Sequence, residues 1–297
     1  VKKGIKKFNG FDIFIYIVML IVVVATLYPF LNVLAVSFND SLDTVKGGIY
    51  ILPRKFTLEN YKYIFTDPGI NLPQATFVSV ARTVIGTLTS VICSCMLAYT
   101  ITRQDYVLRK FVTGVFVVSM YVSGGLIPVY LLMRNLGLIG SFWVYILPGL
   151  VSFYNVIIIR SFMDAIPPSL QESAHIDGAN DFQIFMKIIM PLSVPVIAVI
   201  SLYVAVGQWG SWMDTFLYKG NNDSMNTLQF ELMKVMDNSN VSANTQKILN
   251  GQNTANNITP QSVQMAVTMV VTFPILCVYP FIQKYFVKGV TLGAVKG

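Results

Sequence analysis

Six stretches of the chain carry no Asp, Glu, Lys or Arg for 20 or more consecutive residues: Ile13 to Asn39, Thr83 to Thr102, Phe111 to Met133, Asn135 to Ile159, Ile188 to Met213 and Val263 to Gln283. At a rise of 1.5 Å per residue, about 20 residues cross the roughly 30 Å of bilayer hydrocarbon. Backbone polar groups in lipid must be satisfied within the segment, so each run is expected to be a helix. The pattern predicts an all-α integral membrane protein. Its six transmembrane helices fall at residues 12–38, 76–102, 108–133, 139–162, 189–213 and 263–284, in one membrane domain covering 1–297. The first run exceeds the apolar core of a signal peptide, despite Lys2, Lys3, Lys6 and Lys7 before it, and is read as a retained span.

Composition supports the same class. Of 297 residues, 54% are hydrophobic and 12% charged, and the mean hydropathy is +0.62; soluble domains carry about a quarter charged residues. Cys93, Cys95 and Cys277 all lie in apolar runs, where a small hydrophobic packing role is expected. With both termini on the cytoplasmic side, 12 of the 21 basic residues fall on inner segments and 8 on outer ones, where 8 acids balance them. That bias favours cytoplasmic termini. The net charge of +7 is then an orientation signal and an attraction to anionic membrane lipid, with no nucleic-acid partner implied. Arg82, the one base left over, starts the second run and is expected to snorkel to the interface.

Two loops on the outer side are long. The loop at 214–262 is rich in Asn, including Asn238, Asn240, Asn244, Asn250, Asn253, Asn256 and Asn257. A polar connector and a binding loop are both open to it. On the inner side, 163–190 reads as helix, turn, helix. Ser169 with Glu172 after the breaker Pro167-Pro168, and Asn180 with Gln183, are two predicted capping boxes. Asp177-Gly178-Ala179 makes the turn between them, where glycine permits positive φ. Phe182, Phe185, Ile188 and Ile189 are expected to share the bundle-facing side of the second helix.

Several chemistries are missing. No phosphate-cradling glycine loop occurs, and the one histidine, His175, rules out two-histidine zinc motifs and any Ser-His-Asp arrangement at membrane depth. No metal site or catalytic residue is expected. No acid lies within an apolar run, which argues against proton coupling through buried carboxylates. Nor do the two halves of the chain repeat, as many secondary carriers do.

The segment Glu172-Ser173-Ala174-His175-Ile176-Asp177-Gly178-Ala179, followed by Phe185, Ile188, Pro191 and Pro195, closely resembles the E-A-A-x-x-D-G-A loop of type I ABC importer permeases. It also stands where that loop stands, before the last two spans. Ala98-Tyr99 to Arg103 looks like the family's A-Y…R ending, and Gly289 to Gly297 like the tail of its carbohydrate permeases. Ser123 to Pro128 and Gly207-Gln208-Trp209 look most like the lipoprotein-associated, polysaccharide-uptake branch.

The resemblance implies the type I permease fold, with the inner loop as a cytoplasmic coupling helix that docks on a separate ATPase. Glu172, Ser173, Ala174, Asp177, Gly178 and Ala179 stand at the docking positions; Ser173 departs from the family's alanine. Leu292, Gly293, Lys296 and Gly297 match a tail that reaches along the ATPase dimer interface in the maltose-type permease. The implied function is the membrane subunit of an ATP-driven importer for oligosaccharides or polysaccharide fragments, in a bacterial cytoplasmic membrane. ATP and magnesium would be bound by the ATPase dimer, with no cofactor in this chain. A second, different permease chain and an extracytoplasmic solute-binding protein complete the implied assembly. Tyr130, Tyr203, Gln208 and Trp209 are candidates for a sugar path, since aromatic faces stack on sugar rings, with core packing as the other reading. A permease of the same fold for a non-sugar solute, a self-sufficient carrier or channel, and a membrane-embedded enzyme are the alternatives.

Overall fold

The computed structural model describes residues 10–66, 69–246 and 258–294. Among them the protein is helical, with no strand beyond an isolated antiparallel bridge between Asn39 and Phe56. The chain divides into two compact units, one of residues 1–70 and 234–273, the other of 71–233 and 274–297.

In the first unit, α1 (Gly10–Ser37) is apolar all round and leaves almost its whole length exposed, the signature of a lipid-facing span. It leads into a small lobe holding α2 (Ser41–Val45) and α3 (Glu59–Thr66). The lobe has a polar centre in which nearly every group is partnered. Asn60 Nδ2 donates to the carbonyls of Ser37 and Asn39, both at 2.9 Å, and Ser41 Oγ donates to Asn60 Oδ1 at 2.8 Å. Such saturation is what makes buried amides tolerable.

Asp43 completes the lobe, accepting from Asn39 Nδ2 at 3.2 Å and from Arg54 Nε at 2.9 Å. The hydrogen bond from Asn39 holds its carboxyl below the usual carboxylate range, and Arg54 adds to this against the opposing effect of burial. A depressed folded pKa contributes stability that is present above the unfolded value of about 3.9 and lost as pH falls through the folded one. Amide exchange across 39–60, corrected for intrinsic rates, is therefore expected to quicken below about pH 4. Asp43→Asn should remove that acid step; an unchanged profile in the variant would contradict it.

The second unit is organised by α4 (Leu72–Thr102). Its exposed side repeats Val80, Val84, Leu88, Ile92 and Met96, while Ser79, Gly86, Ser90, Ser94 and Ala98 are buried on the opposite side. Small residues there let neighbouring backbones approach closely, the packing that holds helices together in lipid. The chain continues through α5 (Arg109–Tyr121), α6 (Leu126–Asn135), α7 (Phe153–Met163), α8 (Pro168–Ile176), α9 (Asp181–Ile184), α10 (Met190–Leu192), α11 (Val194–Gly210) and α12 (Met213–Tyr218). A π-helical turn, Phe185–Ile189, joins α9 to α10. The core of this unit is where Cys95, Ala98 and Ile101 of α4 meet Val156 and Ile159 of α7 and Ile200 of α11. Cys95 is buried in that core, Cys93 is half-buried and Cys277 exposed; all three are free thiols. Helices α13 (Leu228–Gln246) and α14 (Pro260–Ala294) complete the chain.

The structure differs from the sequence expectation in several places. Among the described residues three helices are long and apolar enough to cross a membrane, Gly10–Ser37, Leu72–Thr102 and Pro260–Val278; a fourth candidate is Asp181–Leu192 with Val194–Gly210, bent by 80°. The run at 111–133 is not one helix: Gly125 takes φ +81° and splits it between α5 and α6. The run at 135–159 holds only a 3-10 turn, Phe142–Tyr145, and the start of the eleven-residue α7, which continues to Met163. Hydropathy is blind to both breaks, because Ser, Gly and Pro interrupt a helix without adding charge. The outer segment at 214–262 opens as helix, with α13 running to Gln246; Asn250, Asn253, Asn256 and Asn257 lie outside the described residues.

Candidate functional site

The segment from Pro168 to Ile189 is built largely as its residues demand. Helix α8 begins at Pro168, not at Ser169, so the expected Ser169–Glu172 box does not form: Pro167 is the N-cap and offers no side-chain acceptor. Proline's fixed φ suits the first helical turn, which starts the helix before Ser169 can cap it. The second box does form. Asn180 Oδ1 accepts from Gln183 N at 2.9 Å, and Gln183 Oε1 accepts from Asn180 N at 3.0 Å.

Between the helices, Gly178 N donates to His175 O at 3.0 Å and Ala179 N to Ala174 O at 2.9 Å. With Gly178 at φ +82°, this is a Schellman closure of α8. Ala174 and Ala179 pack against the core, whereas Glu172, Ser173, Asp177 and Gly178 face outward and Ile176 is 86% exposed. Four of the six expected docking residues thus stand exposed along the end of α8 and its closing turn, with Ala174 and Ala179 half-buried behind them. Phe182 departs from the expected face and is exposed. Ile184 takes its place with Phe185 and Ile189, because the π turn is wider than 3.6 residues.

One residue missed as a site residue in the sequence ties this turn to the bundle. Arg103, at the C-terminus of α4, donates from Nη1 to Gln171 Oε1 at 2.9 Å and pairs through Nη2 with Asp181 Oδ1 at 3.0 Å. Its Nη2 also lies 3.3 Å from His175 Nε2, and its guanidinium sits 5.9 Å from the centre of the Tyr99 ring. Tyr99 in turn packs on Phe185, ring centres 5.2 Å apart. A single guanidinium therefore contacts α4, α8 and α9 together.

A second constellation lies nearer the other end of α4. Arg82 does not snorkel: it is 2% exposed, and its Nη2 meets Asp214 Oδ2 at 2.5 Å. Its Nε and Nη2 donate to Gln208 Oε1 at 3.1 and 3.0 Å, and the guanidinium lies 4.6 Å from the Tyr145 ring centre. Gln208 fits only because position 86 is glycine; a Cβ there would stand 2.8 Å from Gln208 Nε2. These groups line a cavity of about 300 Å³, to which Tyr218, Asn155 and Ser90 also contribute. Of the four expected path residues, only Gln208 lines it. Tyr130 stacks on Tyr218 at 6.0 Å, Trp209 is buried, and Tyr203 is 53% exposed. The tail residues Leu292 and Gly293 belong to α14, while Lys296 and Gly297 lie outside the described residues.

The described residues thus form an all-helical membrane chain with an exposed, capped helix–turn–helix before its last helices. Residues 86–292 match the family described as binding-protein-dependent transport system inner membrane component, and the chain belongs to that family. It is 40% identical over 287 residues to the polygalacturonan/rhamnogalacturonan transport system permease protein YtcP of Bacillus subtilis, covering 97% of this chain and 98% of that one. It is 27% identical over 277 residues to the arabinooligosaccharides transport system permease protein AraQ of Halalkalibacterium halodurans, covering 91% of each. Its fold matches a crystal structure of a bacterial ABC transporter involved in the import of the acidic polysaccharide alginate. The TM-score is 0.83 at 24% identity, over 95% of this chain and all of that one. The protein is a multi-pass component of the bacterial inner membrane and acts in transport.

Proposed function

We propose that this chain is one of two permease subunits of an ABC importer for acidic oligosaccharides, fragments of a uronate-containing polysaccharide. The observation that carries the reading is the exposed turn from Glu172 to Ala179, closed by Gly178 and braced by Arg103. The substrate class is supported by the names of two relatives in structure or sequence, whose cargoes are polygalacturonan or rhamnogalacturonan and alginate.

In this reading six spans cross the membrane with both termini in the cytoplasm, the two broken runs each completing a crossing against neighbouring helices. A separate ATPase dimer binds ATP and magnesium and receives the 172–179 turn, with Leu292 to Gly297 along its interface. A different permease chain completes the pore, and an extracytoplasmic solute-binding protein delivers the sugar. When the ATPase closes, α8 moves, and Arg103 passes the displacement to α4. Such coupling needs a rigid element with two discrete positions. The cavity at Gln208, Tyr145 and Tyr218 supplies amide and aromatic surface suited to a sugar ring.

Purification in mild detergent from native membranes, with mass spectrometry of what accompanies the chain, tests the assembly. Recovery of an ATPase and a second permease is expected, whereas a lone chain that transports without ATP would overturn the reading. In reconstituted vesicles, Arg103→Ala should keep the ATPase bound yet reduce sugar uptake per ATP hydrolysed by at least about tenfold, given the 1.5–3 kcal/mol typical of charged hydrogen bonds. Arg103→Lys should recover part of it through Asp181 alone. Equal uptake per ATP in wild type and Arg103→Ala would remove the bracing role while leaving the docking turn intact.

A further inference from the structure

Where α5 begins, a cleft of about 860 Å³ opens between the start of α5 and Arg160 of α7. Arg109, Lys110 and Arg160 line it, with Tyr106 and Thr113. The one carboxylate paired to these cations is Asp164, 3.3 Å from Arg160 Nε; Arg109 and Lys110 form no ion pair among the described residues. The cleft therefore carries a surplus of positive charge. The positive end of α5 adds to it, since its N-cap, Leu108, provides no side-chain acceptor for the first-turn N–H groups. The hydroxyl of Thr113, one turn on, has no hydrogen-bond partner.

The cleft runs on from its cations to an apolar wall. Beyond the cations its wall is Gly114 and Val117. A side chain at Gly114 would meet nothing within 4 Å, so there is open space beside the helix there. The neighbouring Phe111, Val115 and Val118 of α5 are exposed and apolar, as on a surface solvated by acyl chains. A cationic pocket continuous with a lipid-facing groove has the layout of an amphiphile: a phosphate at one end, hydrocarbon at the other.

We propose that this cleft is a binding site for an anionic glycerophospholipid. Arg109, Lys110 and Arg160 hold the headgroup phosphate, and an acyl chain lies along Gly114 and Val117. Basic pockets between membrane helices bind anionic headgroups in this way, each Lys or Arg near the surface contributing about a fivefold gain in affinity. The site adjoins the end of α4 that carries Arg103, so its occupant would lie close to the docking turn without being part of it.

The test uses the full chain with its accompanying subunits, in nanodiscs of phosphatidylcholine with or without phosphatidylglycerol, and inorganic phosphate as the soluble probe. Native mass spectrometry reads retained lipid, and the thermal midpoint reads stabilisation. Selective retention of phosphatidylglycerol is expected, falling roughly fivefold in Lys110→Gln and a further fivefold when Arg109→Gln is added. Gly114→Phe, which fills open space and leaves every cation in place, should release the lipid as well. Equal retention of the two lipids, or undiminished retention in the charge variants, would overturn the site. Inorganic phosphate that stabilises as well as phosphatidylglycerol, with Gly114→Phe without effect, would overturn the lipid in favour of a soluble anion. Because Lys110 is exposed, its variant tests the site even if the double variant fails to fold.

Discussion

Asp214→Ala is expected to destabilise the second unit by about 3–5 kcal/mol, the range found when one partner of a buried ion pair is removed. Arg82 is 2% exposed, and without Asp214 only Gln208 and the Ser211 carbonyl remain as acceptors. The cavity beside the pair can admit water but no second anion, so the cation would be left without a counter-charge at membrane depth, where that is costly. Asp214→Asn should fall between, since it retains an acceptor but no charge. The informative variant is the double one: Arg82→Met with Asp214→Ala removes both charges and should recover a large share of the midpoint, as apolar replacements of buried pairs do. Thermal unfolding in detergent, with membrane yield as a second readout, decides it. A double variant no more stable than Asp214→Ala would show that the pair is not held by mutual neutralisation.

Replacing Gly178 has the opposite profile, a large functional effect with little effect on insertion. Its φ of +82° costs an ordinary L-residue about 1–2 kcal/mol, and a β-branched one more, although the space around it is open. Gly178→Val should thus distort the Schellman closure and place a side chain on the docking surface, cutting sugar uptake at least about tenfold. Membrane levels should match wild type, because no buried contact is lost. Gly178→Asn adopts the same backbone at lower cost, so it keeps the turn and adds only bulk. If both variants fail in transport, the surface itself must be free; if only the valine variant fails, the turn geometry is what matters. Unchanged uptake in Gly178→Val would remove the docking role altogether.

Features set by near neighbours were legible in the sequence. Asn180 and Gln183 find each other three residues apart, and the closure of α8 at Gly178 joins groups three and five residues apart, so local chemistry sufficed for both. Ser169 failed as a cap because Pro168 beside it starts a helix more readily, a competition between two local rules. Arg82 was misread for a different reason. Its partner Asp214 is 132 residues distant and stands just past the end of an apolar run, so tallying charges within runs left both residues looking solitary. Gly86 carried no signal at all, since its meaning lies in the Gln208 amide that only the packed helices bring against it. The breaks at Gly125 and before α7 escaped because a hydropathy window weighs transfer energy, while a break is a matter of backbone geometry.

The 80° elbow at Ser193 has a mechanical consequence. Ser193 is fully buried, its N–H held by the carbonyls of Ile189 at 2.9 Å and Met190 at 3.2 Å, with Pro191 and Pro195 stiffening the chain on either side. Two arms therefore meet at a nearly fixed angle: Asp181 to Leu192, roughly 18 Å long, and α11, roughly 25 Å long at 1.5 Å per residue. That is a bell crank. A push across the tip of the shorter arm swings the longer one through the same angle, so its far end, where Gln208 meets Arg82, travels about 1.4 times as far. An elbow that holds its angle would convert a movement in one direction into a larger one nearly at right angles to it through one continuous stretch of backbone, with α11 shifting against α4.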